Sequence, residues 1–304
     1  MEKVIEVLVF GSERGAVFAL VGLGLALVYK STKILNFAQG ELGTFPAFVA
    51  ILVMNGFHPG GDHEASKGLL IPATAVAIVA GAALGVVLYL LVIRPLGKVS
   101  PVTSLVATAG VALLLTTIEV NVFDARARRF PRPIDGGFRL IGTSVIVDWH
   151  TLVILAALAA AAIALAAFFR SSPGVALLAT AEDPYAAELQ GVPVERMRAM
   201  AWGAAGALGA LAGVLGAGVF AQLTPGMVTT TFMIPAFTGV VLGGITSMPG
   251  AVAGGFLLGI VNQASIQVVT SFNLDVPGPP QLAVMVVLLG VLLVRPQGLL
   301  GSRA

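Results

Sequence analysis

Charges along this chain fall in clusters, and the stretches between them are apolar and of membrane-crossing length. Residues 68–93 run for 26 positions without a charge, 99–118 for 20, 149–169 for 21 and 276–294 for 19. A helix needs about 20 apolar residues to cross the hydrocarbon core, and a charge at its centre costs about 2.5–3.5 kcal/mol. Each run therefore reads as one crossing. Residues 199–274 form a single uncharged run of 76 positions, long enough for three. Thr224-Pro225-Gly226 and Thr246-Ser247-Met248-Pro249-Gly250 supply turns that divide it. Upstream, residues 15–29 give 15 uncharged positions, and residues 34–57 are interrupted by Glu41 alone. The pattern predicts an all-α, polytopic helical membrane bundle with eight or nine crossings. The count turns on whether residues 228–245 pass right through or form a half-helix.

A shared motif favours nine. Arg94-Pro95-Leu96-Gly97 and Arg295-Pro296-Gln297-Gly298 both follow an apolar run. Proline disfavours helical continuation, and arginine there meets both the C-terminal helix dipole and the headgroups. If both motifs lie on one face, an even number of crossings separates them, and counting residues 228–245 makes six. Two coincidental helix stops would look the same. Charge does not set the orientation. With nine crossings and an inward C-terminus, nine basic residues face in and eight face out, so no positive-inside bias appears.

Composition agrees with the pattern and excludes other classes. Hydrophobic residues make up 57% of the 304 positions and charged residues 11%, against about 25% charged in soluble domains. A mean hydropathy of +0.98 is incompatible with a soluble enzyme, a nucleic-acid binder or a disordered scaffold. A net charge of +2 gives no reason to expect nucleic acid, and with zero cysteines there is neither disulfide nor thiolate metal site. Lipid offers no hydrophobic drive for helix association, so small residues must permit close approach. Gly81/Gly85, Gly209/Gly213, Gly250/Gly254 and Gly255/Gly259, each four apart, provide such faces.

Few polar positions interrupt the apolar runs. Asn36, Gln39, Gly40 and Glu41 stand together in apolar sequence just past Lys33. An intramembrane carboxylate is a functional candidate by default, and Gly40 would let the backbone break where a cavity or neighbours can satisfy it. This reads either as a pore-lining or gating element, or as a helix start at the membrane edge with Asn36 as cap. Glu119, Asn121 and His150 read as interfacial. Asn262, Gln263 and Gln267 share one broad helix face, suited to interhelical hydrogen bonds or to a path. His58, Asp62, His63 and Glu64 resemble a loose metal cluster but sit in a glycine-rich, solvated loop, so no metal is expected. Between residues 170 and 198, Asp183 can cap a helix, Pro184 takes its first position, Glu188 lies within it and Gly191 stops it. That short helix either docks a partner or merely connects.

No energy source is encoded. The nearest approach to a phosphate-binding G-x-x-x-x-G-K-[ST] loop is Gly24–Ser31, with Tyr29 where the second glycine must be. No H-E-x-x-H motif or nucleophile–base arrangement is present, so neither catalysis nor a cofactor is expected.

Five collinear motifs carry a family resemblance. They are Ile34-Leu-Asn-Phe-Ala-Gln-Gly-Glu41, Ile93-Arg-Pro-Leu-Gly97, the stretch 181–196 beginning Ala-Glu-Asp-Pro-Tyr, Leu242-Gly-Gly-Ile-Thr-Ser-Met-Pro-Gly-Ala251 and Val294-Arg-Pro-Gln-Gly-Leu299. Together, over about residues 8–301, they resemble the branched-chain amino acid ABC transporter permeases, and the LivH-like branch through N-F-A-x-G-E. The resemblance implies one permease domain over residues 1–304 in the bacterial cytoplasmic membrane. It also implies a second homologous permease, two ABC ATPase subunits, an extracytoplasmic substrate-binding protein and surrounding lipid as partners. Residues 170–198 would be a cytoplasmic loop whose coupling helix, with Asp183, Pro184, Glu188 and Gly191, docks on the ATPases. Asn36, Gln39, Gly40 and Glu41 would lie near the translocation path. Two positions depart from the pattern. Gln39 replaces a common histidine, and Glu13 and Arg14 put charges where the family is mostly apolar, which predicts a first span shortened to about 22 Å. The rival reading is a stand-alone secondary transporter or channel, for which Glu41 is the one intramembrane acid at hand. A membrane-embedded enzyme is disfavoured by the missing catalytic constellation.

Overall fold

A computed structural model describes residues 2–58, 66–97, 99–140, 142–295 and 298–299. Asp62, His63 and Glu64 lie outside the described residues, as do Pro296 and Gln297. The described residues form twelve α-helices: α1 Glu2–Thr32, α2 Glu41–Met54, α3 Leu70–Leu88, α4 Arg94–Leu96, α5 Pro101–Phe123, α6 Trp149–Arg170, α7 Ser172–Glu182, α8 Pro184–Leu189, α9 Val194–Phe220, α10 Ile234–Gly243, α11 Met248–Phe272 and α12 Pro279–Val294. Two π-helical turns, Tyr89–Ile93 and Val228–Met233, join α3 to α4 and lead into α10. Among the described residues, six helical stretches are long and apolar enough to cross a membrane: Phe37–Met54, Lys67–Leu96, Pro101–Phe123, Trp149–Arg170, Val194–Phe220 and Met248–Phe272. Val228–Gly243 and Pro279–Val294 are shorter apolar helices.

The apolar runs become helices where the pattern placed them, and the two turn signals separate α9, the Val228–Gly243 stretch and α11. The first Arg-Pro motif behaves differently from expectation. The helix continues through Pro95 to Leu96 and ends at Gly97, whose φ is +62°. Pro95 lacks the N–H that its helix would use, and the π turn just upstream re-spaces the hydrogen bonds around that gap. Pro235 likewise follows the π turn Val228–Met233 by two residues.

Helix α1 is the central post. From Gly15 through Val28 every residue is buried, and it packs against α9, α10, α11 and α6. All four spaced glycine pairs serve this interior. A Cβ on Gly81 of α3 would stand 2.5 Å from the Gly206 carbonyl oxygen of α9, and Gly209 and Gly213 face Leu42 and Gly43 of α2. On α11, Gly250 and Gly254 meet Gly243 and Gly239 of α10, while Gly255 and Gly259 meet Ala19, Gly15 and Gly11 of α1. One helix thus grips two neighbours through two glycine faces. By contrast α5, α6 and α12 present large apolar residues outward, Leu113, Ile163 and Leu293 among them.

Glu13 and Arg14, the charges that predicted a shortened first span, are enclosed by partners inside the bundle. Arg14 Nη1 donates to Asn262 Oδ1 at 3.0 Å and its guanidinium lies 6.0 Å from the Phe220 ring centre. Glu13 faces Thr151 and Arg132. Arg132 in turn pairs with Asp148 at 2.8 Å and donates to the Gly218 and Val219 carbonyls near the end of α9.

The bundle has two distinct ends. At one, Lys30 of α1 sits 5.0 Å from the Phe169 ring centre of α6, and Arg94 pairs with Glu195 of α9 at 3.0 Å. Helices α7 and α8 belong to this end. At the other, Lys3 donates to Ser271 Oγ, the Ser144 N–H donates to Glu2 Oε1, and Lys67 pairs with Asp135. Here residues 124–148 form two small antiparallel sheets, none of which the apolar pattern foresaw. Strand β1 (Arg128–Arg129) pairs with β4 (Gln222–Leu223), and β2 (Gly137–Arg139) with β3 (Ile146–Asp148).

Candidate functional site at two interrupted crossings

After α1 the chain turns at Lys33 (φ +58°) and re-enters the bundle in non-helical form. Asn36 then caps a single 3₁₀ turn, Phe37–Gln39, its Oδ1 accepting from the Ala38 N–H at 3.0 Å. The Asn36 amide donates to Gln39 Oε1 at 3.3 Å, and Gln39 Nε2 donates to the Ala205 carbonyl of α9 at 2.9 Å. The Phe37 N–H is taken by Thr108 Oγ1 of α5 at 3.2 Å. The Asn36 and Gln39 side chains and the Phe37 and Ala38 N–H groups thus have partners inside the bundle, which permits irregular backbone at depth. Gly24 of α1 and Gly209 of α9 leave the room that the Gln39 amide fills.

Gly40 is helical, with φ −62° and ψ −45°, so its role is spatial and not conformational. An added Cβ would lie 2.6 Å from Thr229 Cα and closer still to Thr229 Oγ1. This contact joins the start of α2 to the second interruption, the Thr224-Pro225-Gly226 turn and the π turn after it. The Val228 N–H donates to Thr44 Oγ1 of α2 at 3.1 Å, and the Thr44 hydroxyl donates back to the Gly40 carbonyl at 3.3 Å. Two helix N-termini, those of α2 and of Val228–Gly243, therefore meet side by side in the core.

Asn36, Gln39 and Glu41 all have zero solvent exposure, and Gly40 is buried with them. A residue far away in sequence joins them. Glu119 is a full turn inside the end of α5 and has zero exposure, not the interfacial position its run boundary indicated. Its Oε2 accepts from the Gly226 N–H at 2.9 Å. The Glu41 carboxyl stands beside the same turn: its Oε1 is 3.7 Å from the place a Cβ on Gly226 would take. His150 is also buried, its ring nitrogen Nε2 3.1 Å from the Leu215 carbonyl. Asn262 makes the interhelical bond its face predicted. Among the described residues, no group of three or more His, Asp or Glu side chains could hold a metal ion.

The short helix α8 has the construction its residues dictate. Asp183 Oδ1 accepts from the Tyr185 and Ala186 N–H groups at 3.0 and 3.1 Å, and Pro184 follows at the first helical position. Gly191 has φ +79°; its N–H donates to Glu188 O, and the Val192 N–H to Ala187 O, the paired bonds of a glycine-terminated helix. Glu188 is exposed. Tyr185 and Leu189 are 72% and 69% exposed, so an apolar pair stands outside the bundle on a braced helix.

A helical multi-pass membrane protein with two interrupted crossings at its core is of transporter type. The family model described as branched-chain amino acid transport system / permease component matches residues 7–295, and the chain belongs to that family. It is 31% identical to the high-affinity branched-chain amino acid transport system permease protein BraD of Pseudomonas aeruginosa, over 97% of this chain and 94% of the other. The corresponding permease protein LivH of Escherichia coli K12 is 31% identical over 96% and 93%. The probable LivH of Methanocaldococcus jannaschii is 27% identical over 93% and 88%. A solved structure, PsaBC from Streptococcus pneumoniae in complex with Fab, aligns over 97% of this chain and 91% of that one, with 16% identity and a TM-score of 0.45; a likeness that remote carries no argument.

Proposed function

We propose that this chain is the membrane-spanning permease subunit of an ATP-driven importer for branched-chain amino acids or related small polar solutes, seated in a bacterial cytoplasmic membrane. It crosses the membrane nine times, as one domain. Six of the crossings are the long apolar helices; the others are α1, Val228–Gly243 and α12. In support, the ends that carry Arg94 and Arg295 then fall on one face, the arrangement that their shared motif favours. A second homologous permease completes the pathway. Two ATPase subunits supply hydrolysis, and an extracytoplasmic binding protein delivers the solute.

The observation that carries this reading is α8. A six-residue helix braced at both ends, with Tyr185 and Leu189 exposed, suits a docking surface better than a tether. Residues 170–198 form the cytoplasmic loop, and Asp183, Pro184, Glu188 and Gly191 build the coupling helix. Closure of the ATPases on ATP pushes this helix, and α7, α9 and the ends of α3 and α6 carry the displacement inward. Asn36, Gln39, Gly40 and Glu41 form the element of the translocation path that rearranges as the bundle changes state. Co-purification with an ATPase subunit, and loss of uptake in a strain lacking that ATPase, test the proposal. Uptake that persists without the ATPase would return the chain to the stand-alone transporters.

A further inference from the structure

The Glu41–Glu119 pair has a feature that the importer reading does not use. Glu119 Oε1 and both oxygens of Glu41 have no donor among the described residues. Carboxylates only accept, so two of them side by side cannot satisfy one another. The groups facing the pair are few. From α2 there is Glu41 itself, and Thr44 bonds elsewhere. From α5 come Glu119 and Thr116, whose hydroxyl donates to Ala112 O. From the 224–226 turn comes the Gly226 N–H, given to Glu119 Oε2. Beyond the end of α5, Arg128 spends its guanidinium on the Phe123 carbonyl and Asp124 is exposed. None of the ion pairs among the described residues involves Glu41 or Glu119. An isolated buried carboxylate is costly, and two adjacent ones repel.

We propose that Glu41 and Glu119 form a proton-binding site, one proton lying between Glu119 Oε1 and a Glu41 oxygen. The exchange is simple: hydronium gives one proton to a carboxylate, its own O–H bond breaking as the carboxyl O–H forms and water being left, and the reverse step returns the proton to water. With the proton in place, one carboxyl donates to the other and α2, α5 and the 224–226 turn are tied together through Gly226. Without it, two anions with no cation between them push α5 away from α2 at the point where both interrupted crossings begin. The site therefore acts as a proton-operated latch on the core.

The test uses the full chain in lipid nanodiscs. Infrared difference spectra recorded across a pH titration should contain a protonated-carboxyl C=O band that disappears in both Glu41→Gln and Glu119→Gln. The same band surviving in either variant overturns the proposal. If the glutamine variants fail to assemble, Glu41→Asp and Glu119→Asp keep the carboxyls and should each shift the band; an unshifted band overturns it equally. The latch is tested in proteoliposomes with the ATPase partners. Uptake by the wild type should vary several-fold with pH, and uptake by Glu119→Gln, whose amide supplies a permanent donor, should vary less than twofold. Identical profiles would remove the latch. The infrared arm needs no assumption about the solute, so its failure is separable from failure of the importer reading.

Discussion

At Gly40 the requirement for glycine is one of space. Its backbone is ordinary right-handed helix, so alanine would cost nothing in conformation and everything in contact, because its Cβ would run into Thr229. Forcing a methyl into such a packed core typically costs about 1–3 kcal/mol. Gly40→Ala should therefore lower the thermal unfolding midpoint of the detergent-purified chain, and Thr229→Gly in the same background should recover part of the loss. An unaltered midpoint for the single variant would mean that α2 and the π turn separate freely. Asn36 and Glu41 could be singled out in the sequence because they are polar among apolar neighbours. Glu119 and His150 could not, since each stands near the boundary of an uncharged run, where interfacial side chains also stand. Only the fold of α5 against the 224–226 turn, 107 positions from Glu119 to Gly226, puts that carboxyl inside. The surroundings of Glu13 and Arg14 were equally out of reach. Their partners, Arg132, Thr151 and Asn262, come from α6, α11 and the 124–148 loop, which no local window includes.

Among the elements, those governed by run length or capping chemistry were legible. The long helices follow uncharged runs, and α8 follows from Asp183, Pro184 and Gly191. Helix α7 opens on Ser171 and Pro173, markers that the apolar pattern did not draw on, while β1 and β4 exist only because Arg128–Arg129 finds Gln222–Leu223 across the bundle end. Substituting Asp183 by alanine removes the acceptor for two N–H groups, a loss of about 0.5–2 kcal/mol for an N-cap. Gly191→Pro is more severe, since proline cannot adopt a φ of +79° and lacks the N–H given to Glu188 O. Both variants should insert and purify normally, because α8 lies outside the core. In proteoliposomes both should lose solute-stimulated ATP hydrolysis, Gly191→Pro by more than tenfold and Asp183→Ala by several-fold. Full stimulation in Gly191→Pro would show that α8 transmits nothing.

Over the whole molecule, helix packing and topology depend on each other. The glycine faces of α11 fix α10 on one side and α1 on the other, so α10 must run antiparallel to α11 along its full contact from Gly239/Gly254 to Gly243/Gly250. That contact carries Val228–Gly243, a π turn followed by only ten regular residues, Ile234–Gly243, to the end of the bundle where α11 begins. The proposed nine crossings then put Glu188 and the start of α11 on one side of the membrane, and Arg129 and the end of α11 on the other. The chain has no cysteine, so each side can be read from a single introduced thiol without background. In right-side-out vesicles, a membrane-impermeant maleimide should label Arg129→Cys and Ser271→Cys but not Glu188→Cys or Ser247→Cys, and inverted vesicles should reverse all four. If Glu188→Cys and Ser271→Cys labelled from the same side, one crossing between them would have to be a half-helix. The count would then be eight, and α10 could not hold its glycine contacts with α11 while entering from the membrane face that the nine-crossing path assigns.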